Sequence, residues 1–330
     1  MAHNIMVTGG AGFIGSNFIK YYLKHHPHDT IINVDKLTYC GNLENLQDIA
    51  KDPEYSLRYS FHQVDICDEE KIFALAKEAD IIIHFAAESH VDNSIKEPFV
   101  FTQTNVIGTH VLLEAARRAN IKRFVHISTD EVYGSTINDT FTETDPLNPS
   151  SPYSASKCGA ELLVKAYHTT YKLPVVIVRC SNAFGPNQYP EKVIPLFVTN
   201  LIQNKKVPLY GDGLHVRDWL YVHDFCGAVN FLTHKEDIEG EIFNVPGVHS
   251  IPNIELTKHL LQLCDKDESY IKAVPDRLGH DRRYSVSGKK IHDLGWEHTH
   301  TFEHAIAETV NWYKDNPWWW EQLKNSKDKR

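Results

Sequence analysis

The sequence predicts an α/β protein built on a doubly wound parallel sheet, with a smaller, mixed α/β part toward the C-terminus. Short Val/Ile-rich runs recur through the first half, segments of helical length with an apolar stripe separate them, and the rhythm changes after about Cys180. Near-continuous apolar runs suit strands covered on both faces, and parallel neighbours need helical crossovers between them.

The segment "NIMVTGG" is expected as the first buried strand, with a helix over Phe13 to His25 behind it. "TIINVD", "SLRYSFHQVD" and "ADIIIHFAA" are the second, third and fourth strands. A long helix from about Pro98 to Asn120 leads into "KRFVHIST", the fifth, and another from about Tyr153 to Tyr171 precedes "LPVVIVRC", the sixth. Beyond Cys180 the loops lengthen and the elements shorten. The expected division is therefore a dinucleotide-binding domain over 1–180, with some later chain crossing back to it, and a mainly substrate-binding domain over 181–330. "NPWWW" reads as a packing anchor, and "EQLKNSKDKR" after it as a frayed, solvated tail.

With 330 residues the chain can bury a sizeable core. A formal charge of −9 argues against a nucleic-acid binder, which usually carries a basic face. No apolar stretch reaches the length of a membrane span, and the N-terminus lacks a signal-peptide pattern. The six cysteines are scattered, with no CxxC pair, as expected of reduced thiols in a cytoplasmic protein. His298, His300 and His304 cluster in "WEHTHTFEH", but a metal site there needs further ligands, so a solvated segment and no metal are expected.

"TGGAGFIG" places Gly9, Gly12 and Gly15 directly after a strand and at the opening of a helix. Such glycines permit a tight turn, close backbone approach to a pyrophosphate and close helix–sheet packing, while the helix N-terminus favours negative charge. The second strand ends in Asp35, 20 residues past Gly15, where a carboxylate accepts hydrogen bonds from the adenine ribose hydroxyls. That carboxylate repels a 2′-phosphate, so NAD is expected over NADP; Lys36 softens the preference without reversing it. Asp65, closing the third strand, is placed to meet the adenine edge, with Asp68 the better cap for the helix that follows. Phe85, Ala86 and Ala87 close the fourth strand, where small residues let a dinucleotide lie against the backbone. These features make the first half Rossmann-type.

"PYSASKCGAELLVKAY" sets Tyr153 and Lys157 one turn apart on one helix face. Lys157 is expected to stabilise the Tyr153 phenolate, drawing its pKa toward neutrality, and to hold the nicotinamide ribose. Tyr153 then takes the proton from a substrate hydroxyl as hydride leaves its carbon for NAD. Thr129, ending the fifth strand, offers a hydroxyl to the same oxygen.

Together, Gly9, Gly12, Gly15, Asp35, Thr129, Tyr153 and Lys157 resemble the extended short-chain dehydrogenase/reductases that act on nucleotide sugars. Within that family, "AAESHVD" (86–92), "STDEVYG" (128–134), "RCSN" (179–182), "PEKVIPLF" (190–197), "RDWLYVHD" (217–224) and "DRLGHDRRY" (276–284) are similar to the dTDP-glucose 4,6-dehydratases. The resemblance covers nearly the whole chain. It implies conversion of dTDP-glucose to dTDP-4-keto-6-deoxyglucose by a lyase that recycles NAD, and a homodimer built on the helices near 98–120 and 153–171. It extends the cofactor set to Phe13, Ile14, Thr38, Ile66, Ser89 and Thr104. It implies nucleotide-sugar contacts from Ser89, Thr129, Asn182, Lys192, Val193, Pro208, Tyr210, Asn253 and His280. Arg217, Arg277 and Lys192 supply cations that a diphosphate needs, the arginines as bidentate forks.

The resemblance also gives work to the adjacent acids of "TDE". Oxidation at sugar C4 makes the C5 hydrogen acidic; Glu131 is then the base at C5 and Asp130 the acid that expels the C6 hydroxyl as water. In a regular strand neighbouring side chains point to opposite faces, so the chain must already be turning after Thr129 for both acids to share a site. Related enzymes usually read Asn-Asn-Tyr-Gly-Pro after the sixth strand, whereas this chain reads Asn182-Ala183-Phe184-Gly185-Pro186, which predicts weaker cofactor retention. A UDP-hexose 4-epimerase would share the cofactor residues and the Tyr–Lys pair but has no need of the acid pair. A non-catalytic NAD-binding module would have no need of Tyr153 and Lys157 together.

Overall fold

The computed structural model describes residues 2–276 and 281–327. Its strands in chain order are β1 (Asn4–Thr8), β2 (Thr30–Asp35), β3 (Tyr59–Gln63), β4 (Ile81–His84), β5 (Arg123–Thr129) and β6 (Val175–Cys180). They continue with β7 (Asn182–Phe184), β8 (Val207–Tyr210), β9 (Val216–Tyr221), β10 (Ile242–Val245), β11 (His249–Pro252) and β12 (Ile271–Val274). Seven of them form one sheet in the order β10-β6-β5-β4-β1-β2-β3, every neighbouring pair parallel. The strand order reverses between β1 and β4, and a crevice opens there at the carboxyl ends of the strands.

The six strands expected in the first half are present, the third and fourth shortened most. The third begins at Tyr59 because Ser56–Arg58 form a 3₁₀ turn, and the fourth stops at His84. Phe85–Ala87 therefore leave the sheet as extended chain at its carboxyl edge, and Asp65 lies just past β3 rather than within it. The sheet carries β10 from the second half of the chain, registered Phe243 against Val178.

The long helix expected from Pro98 is continuous to Ala119, but its middle, Thr102–Gly108, is wound as a π-helix. Gly108 lies against Ile66, where a Cβ would approach the Ile66 Cδ1 to 2.4 Å. The Pro152–Tyr171 helix starts on a reciprocal cap: Ser151 Oγ accepts from Ser154 N at 3.1 Å, and Ser154 Oγ from Ser151 N at 3.0 Å. Pro152 occupies the first helical position, where no N–H is needed. This start sets the azimuth of Tyr153 and Lys157.

After β6 the elements shorten into a three-stranded sheet, β11-β9-β7, a parallel pair, β12-β8, and several helices. One apolar cluster joins the sheet face of Val7, Val125 and Val178 to Phe184, Phe225, Phe302, Trp319 and Trp320. The terminal tryptophans are anchors: Trp319 Nε1 donates to Asn45 Oδ1 at 2.8 Å and Trp320 Nε1 to Tyr313 O at 2.8 Å. They carry a helix from Pro317 to Lys327, so the tail expected to fray from residue 321 is helical through Lys327. All six cysteines are free thiols, and no helix among the described residues is long and apolar enough to cross a membrane.

Candidate active site

A cleft of about 300 Å³ lies at the switch point. Every residue of the expected cofactor set lines it, from Gly9, Gly12 and Gly15 through Asp35, Asp65 and Phe85–Ala87 to Thr104, Tyr153 and Lys157. The cradle leaves no room for side chains. Gly9 has φ +73°, and a Cβ on it would lie 2.6 Å from Ala86 N; one on Gly15 would lie 2.3 Å from Gly9 O. Asp35 shapes the same loop, accepting from Ala11 N at 3.0 Å and Leu37 N at 2.8 Å. Burial holds its carboxyl above the usual range, and those two N–H groups pull it back. Lys36 is paired with Asp65 at 2.7 Å, which neutralises the one cation next to Asp35 in the chain. A Gly-lined helix opening and a carboxylate at the β2 end fit a dinucleotide without a 2′-phosphate.

The catalytic candidates occupy the other end of the cleft, where Thr129, Asp130, Glu131, Tyr153 and Lys157 all contribute to its wall. The adjacent acids can share it because β5 ends at Thr129 and Asp130–Tyr133 form a 3₁₀ turn. Burial, and next the charge of Glu131, push the Asp130 carboxyl well above its usual range; the Arg217 guanidinium opposes the rise. Asp130 Oδ2 and Asn182 Oδ1 are buried in this wall and have no protein partner among the described residues.

The Tyr–Lys pair differs electrostatically from expectation. Lys157 Nζ donates to Ile127 O at 2.7 Å, and burial lowers its pKa to about 8, with the Glu161 carboxylate opposing. Burial and the Glu131 charge push the Tyr153 phenol up, while a hydrogen bond with Thr129 works the other way. In the protein alone, the low dielectric and a nearby acid outweigh the Thr129 hydroxyl.

Of the expected nucleotide-sugar residues, Ser89, Thr129, Asn182 and Lys192 line the cleft, and Lys192 Nζ donates to Ser89 O at 3.0 Å. Val193, Pro208, Tyr210, Arg217 and Asn253 stand outside its lining. Arg217 packs its guanidinium 4.7 Å from the Tyr284 ring centre and donates to Asp281 O at 2.9 Å, so it reaches the acid pair's flank rather than the open cleft. Arg277 and His280 lie outside the described residues. Arg282 is paired with Asp212 and Arg283 donates to Asp139 O, both structural uses.

Three features escaped sequence reasoning. Asn105, in the π-helical segment, bonds both backbone groups of Glu88 and Ser156 Oγ, at 2.9, 3.0 and 2.8 Å, fixing the chain after β4. Glu88 and Glu191 line the cleft. Glu161 and Arg179 form a buried ion pair, and Arg179 Nη1 donates to the Tyr133 hydroxyl at 2.5 Å. Only Glu161 left a signal, standing four residues after Lys157 on the same helix face.

The model of the family described as GDP-mannose 4,6-dehydratase matches residues 6–309. The dTDP-glucose 4,6-dehydratase of Actinoplanes sp. is 48% identical, over 96% of this chain and 99% of its own. The chain belongs to the dTDP-glucose 4,6-dehydratase family. Its solved relative from Streptomyces venezuelae, DesIV, crystallised with NAD bound, superimposes with a TM-score of 0.93 at 47% identity, covering 97% of this chain and 99% of that one. The UDP-glucose 4-epimerase of Thermotoga maritima is further away, with a TM-score of 0.87 at 30% identity over 95% of this chain and 99% of its own. The dehydratase family is thus nearer than the epimerases by both measures, as the acid pair leads one to expect.

Proposed function

We propose that this chain is an NAD-dependent hydro-lyase converting dTDP-glucose to dTDP-4-keto-6-deoxyglucose. What carries the reading is the juxtaposition of Asp130 and Glu131 with Thr129, Tyr153 and Lys157 in one cleft wall. NAD, held by Gly9, Gly12, Gly15, Asp35, Tyr153 and Lys157, supplies a hydride acceptor for C4 and a hydride donor for C6.

Tyr153 takes the C4 hydroxyl proton, with Thr129 hydrogen-bonding the same oxygen and the Lys157 ammonium providing the compensating charge. Glu131 removes the C5 proton, now acidified by the C4 ketone. Asp130 protonates the departing C6 hydroxyl, which leaves as water. Burial and the neighbouring Glu131 charge raise the Asp130 carboxyl well above the usual range, the direction a general acid requires, and divide the labour between two adjacent carboxyls. Glu131 returns its proton to C5 as C6 is reduced. The proton gained by Tyr153 balances the one lost by Asp130, and both groups reset through solvent when product leaves.

Ser89, Asn182, Lys192 and the arginines of the second half are proposed to hold the nucleotide sugar, with 1–180 mainly the cofactor domain and 181–330 mainly the substrate domain. A cytoplasmic setting is proposed from the six free thiols. A homodimer is proposed from exposed apolar side chains on two neighbouring helices, Phe99 (88% exposed) and Ile107 on one, Leu162 (58% exposed) on the other.

The deciding experiment incubates the purified chain with dTDP-glucose and weighs the product. Loss of one water with no net cofactor reduction is expected, and Glu131→Gln should abolish it. A same-mass C4 epimer, or unchanged substrate, would sink the proposal.

A further inference from the structure

The histidines after Trp296 acquire partners that their sequence neighbourhood does not reveal. His304 and Glu308 stand one turn apart on one face of the Phe302–Asp315 helix, and His300 lies just before its N-cap, Thr301. A ring nitrogen from each histidine and a carboxylate oxygen of Glu308 all lie within 4.8 Å of one another. The two imidazole planes are inclined by 29°, their centroids 5.8 Å apart, and His304 Nδ1 is 3.8 Å from Glu308 Oε2.

A second element approaches the same point. The Val222–His234 helix brings Asp224, buried, whose Oδ1 accepts from Thr299 N at 3.0 Å, Thr299 Oγ1 at 2.6 Å and His300 Nδ1 at 2.8 Å. A carboxylate behind a histidine is the usual outer partner of a ligating imidazole: it fixes the ring, sets the tautomer and leaves Nε2 as the ligand atom. Asp224 Oδ2 has no partner among the described residues. Next to it, His223 places its ring 6.3 Å from that of His300 and within the field of the Glu308 carboxylate.

We propose that His300, His304 and Glu308 form a binding site for a first-row divalent metal ion such as Zn²⁺, with Asp224 orienting His300 and His223 alongside as a further donor. Two imidazoles and a carboxylate suit Zn²⁺, Co²⁺ or Ni²⁺ and not Mg²⁺ or Ca²⁺, which favour all-oxygen sites. Ligand bonds of about 2.0–2.2 Å put donor atoms roughly 3.3 Å from one another in a tetrahedron. Closing from 4.8 Å therefore takes about 1 Å of side-chain motion, which the exposed His304 and Glu308 can supply without moving backbone. None of the three lines the catalytic cleft, so the ion would act as a clamp between the two helices and not as a participant in the chemistry.

The test uses the full-length, tag-free chain after chelator treatment. It is titrated with Co²⁺, read by the visible absorbance of the bound ion, and with Zn²⁺, read by calorimetry and melting temperature. One equivalent per chain is expected, with a Zn²⁺-dependent rise in Tm. His304→Ala and Glu308→Gln should each weaken binding at least tenfold and remove that rise, while leaving turnover of dTDP-glucose and metal-free Tm unchanged. No saturable binding in the micromolar range overturns the proposal. So does binding unaffected by either substitution, which would place the ion on the other histidine-rich surface, around His25, His26, His28 and His234.

Discussion

The Thr129 hydroxyl accepts a hydrogen bond from the Glu131 backbone N–H at 3.2 Å, and that bond ends β5. Without it the strand would continue and aim Asp130 and Glu131 at opposite faces of the sheet. The same hydroxyl donates to Asp130 Oδ1 at 3.3 Å, so one side chain sets the aim of both proposed acid–base carboxyls.

Thr129→Val is isosteric but has no oxygen to cap the turn or meet the sugar. It should lower kcat about a hundredfold, in the range seen when a positioned donor is removed. Thr129→Ser should stay within about tenfold of the parent, because it keeps the oxygen. Steady-state turnover of dTDP-glucose checks both, and equal activity of the Val variant would free Thr129 of any role.

Asp130→Asn removes the acid while keeping shape. Water loss should fall by about 10²–10⁴, the usual worth of a positioned general acid. Exchange of the C5 hydrogen with deuterated solvent should persist, since Glu131 is untouched; mass spectrometry of recovered substrate separates the two. Loss of both signals together would contradict the assigned division of labour.

Lys157 is a buried cation whose folded pKa, about 8, lies below its ordinary value of 10.5. A depressed lysine favours the folded state only once it is neutral. Its cost is fully present below pH 8 and disappears as pH rises through 10.5. At 1.36 kcal/mol per pKa unit the cost is about 3 kcal/mol, offset by about 1 for the hydrogen bond to Ile127 O. Lys157→Met should therefore abolish turnover yet raise Tm at pH 7, and that gain over the parent should vanish near pH 10.5. A lower Tm at pH 7 would refute the reasoning.

Behind the acid pair, Glu161 accepts from Arg179 Nη2 at 2.6 Å and from Nε at 3.1 Å, and both side chains are buried. Arg179 then reaches Tyr133, which also donates to Asn244 Oδ1 at 2.9 Å, tying the catalytic helix to the turn that carries the acids. Removing one charge strands the other, so Arg179→Met or Glu161→Gln should cost about 3–5 kcal/mol. Replacing both with apolar residues should restore stability to within about 1–2 kcal/mol without restoring kcat. Chemical denaturation and turnover on the three variants decide whether the pair serves stability or alignment.

The legible parts share one property, short range along the chain. The glycine cradle with Asp35, the Tyr153–Lys157 turn and the Val/Ile strands are each defined by spacings within one or two elements, and local periodicity reports such spacings directly. The π-helical turn at Thr102–Gly108 was not legible, because it answers to Gly108 meeting Ile66 and Asn105 meeting Glu88. Nor was the helical end of the chain, where polar residues after Trp320 stay ordered because Trp319 reaches Asn45. Arg217 shows the same limit: its place in β9, its packing on Tyr284 and its bond to Asp281 O depend on residues more than 60 positions further along the chain.

By itself, the sequence determined the class of sheet, the NAD cradle and the family, since hydrophobic period and glycine spacing are properties of a linear string. Tertiary structure decided how those parts act. It turned β5 at Thr129 so that two neighbouring acids face one cleft, and it buried Asp130 so that its carboxyl is raised well above the usual range. It also drew Asp224 behind His300 from 76 residues away. Burial and long-range pairing set local dielectric and side-chain aim, and neither is written in the residues on either side.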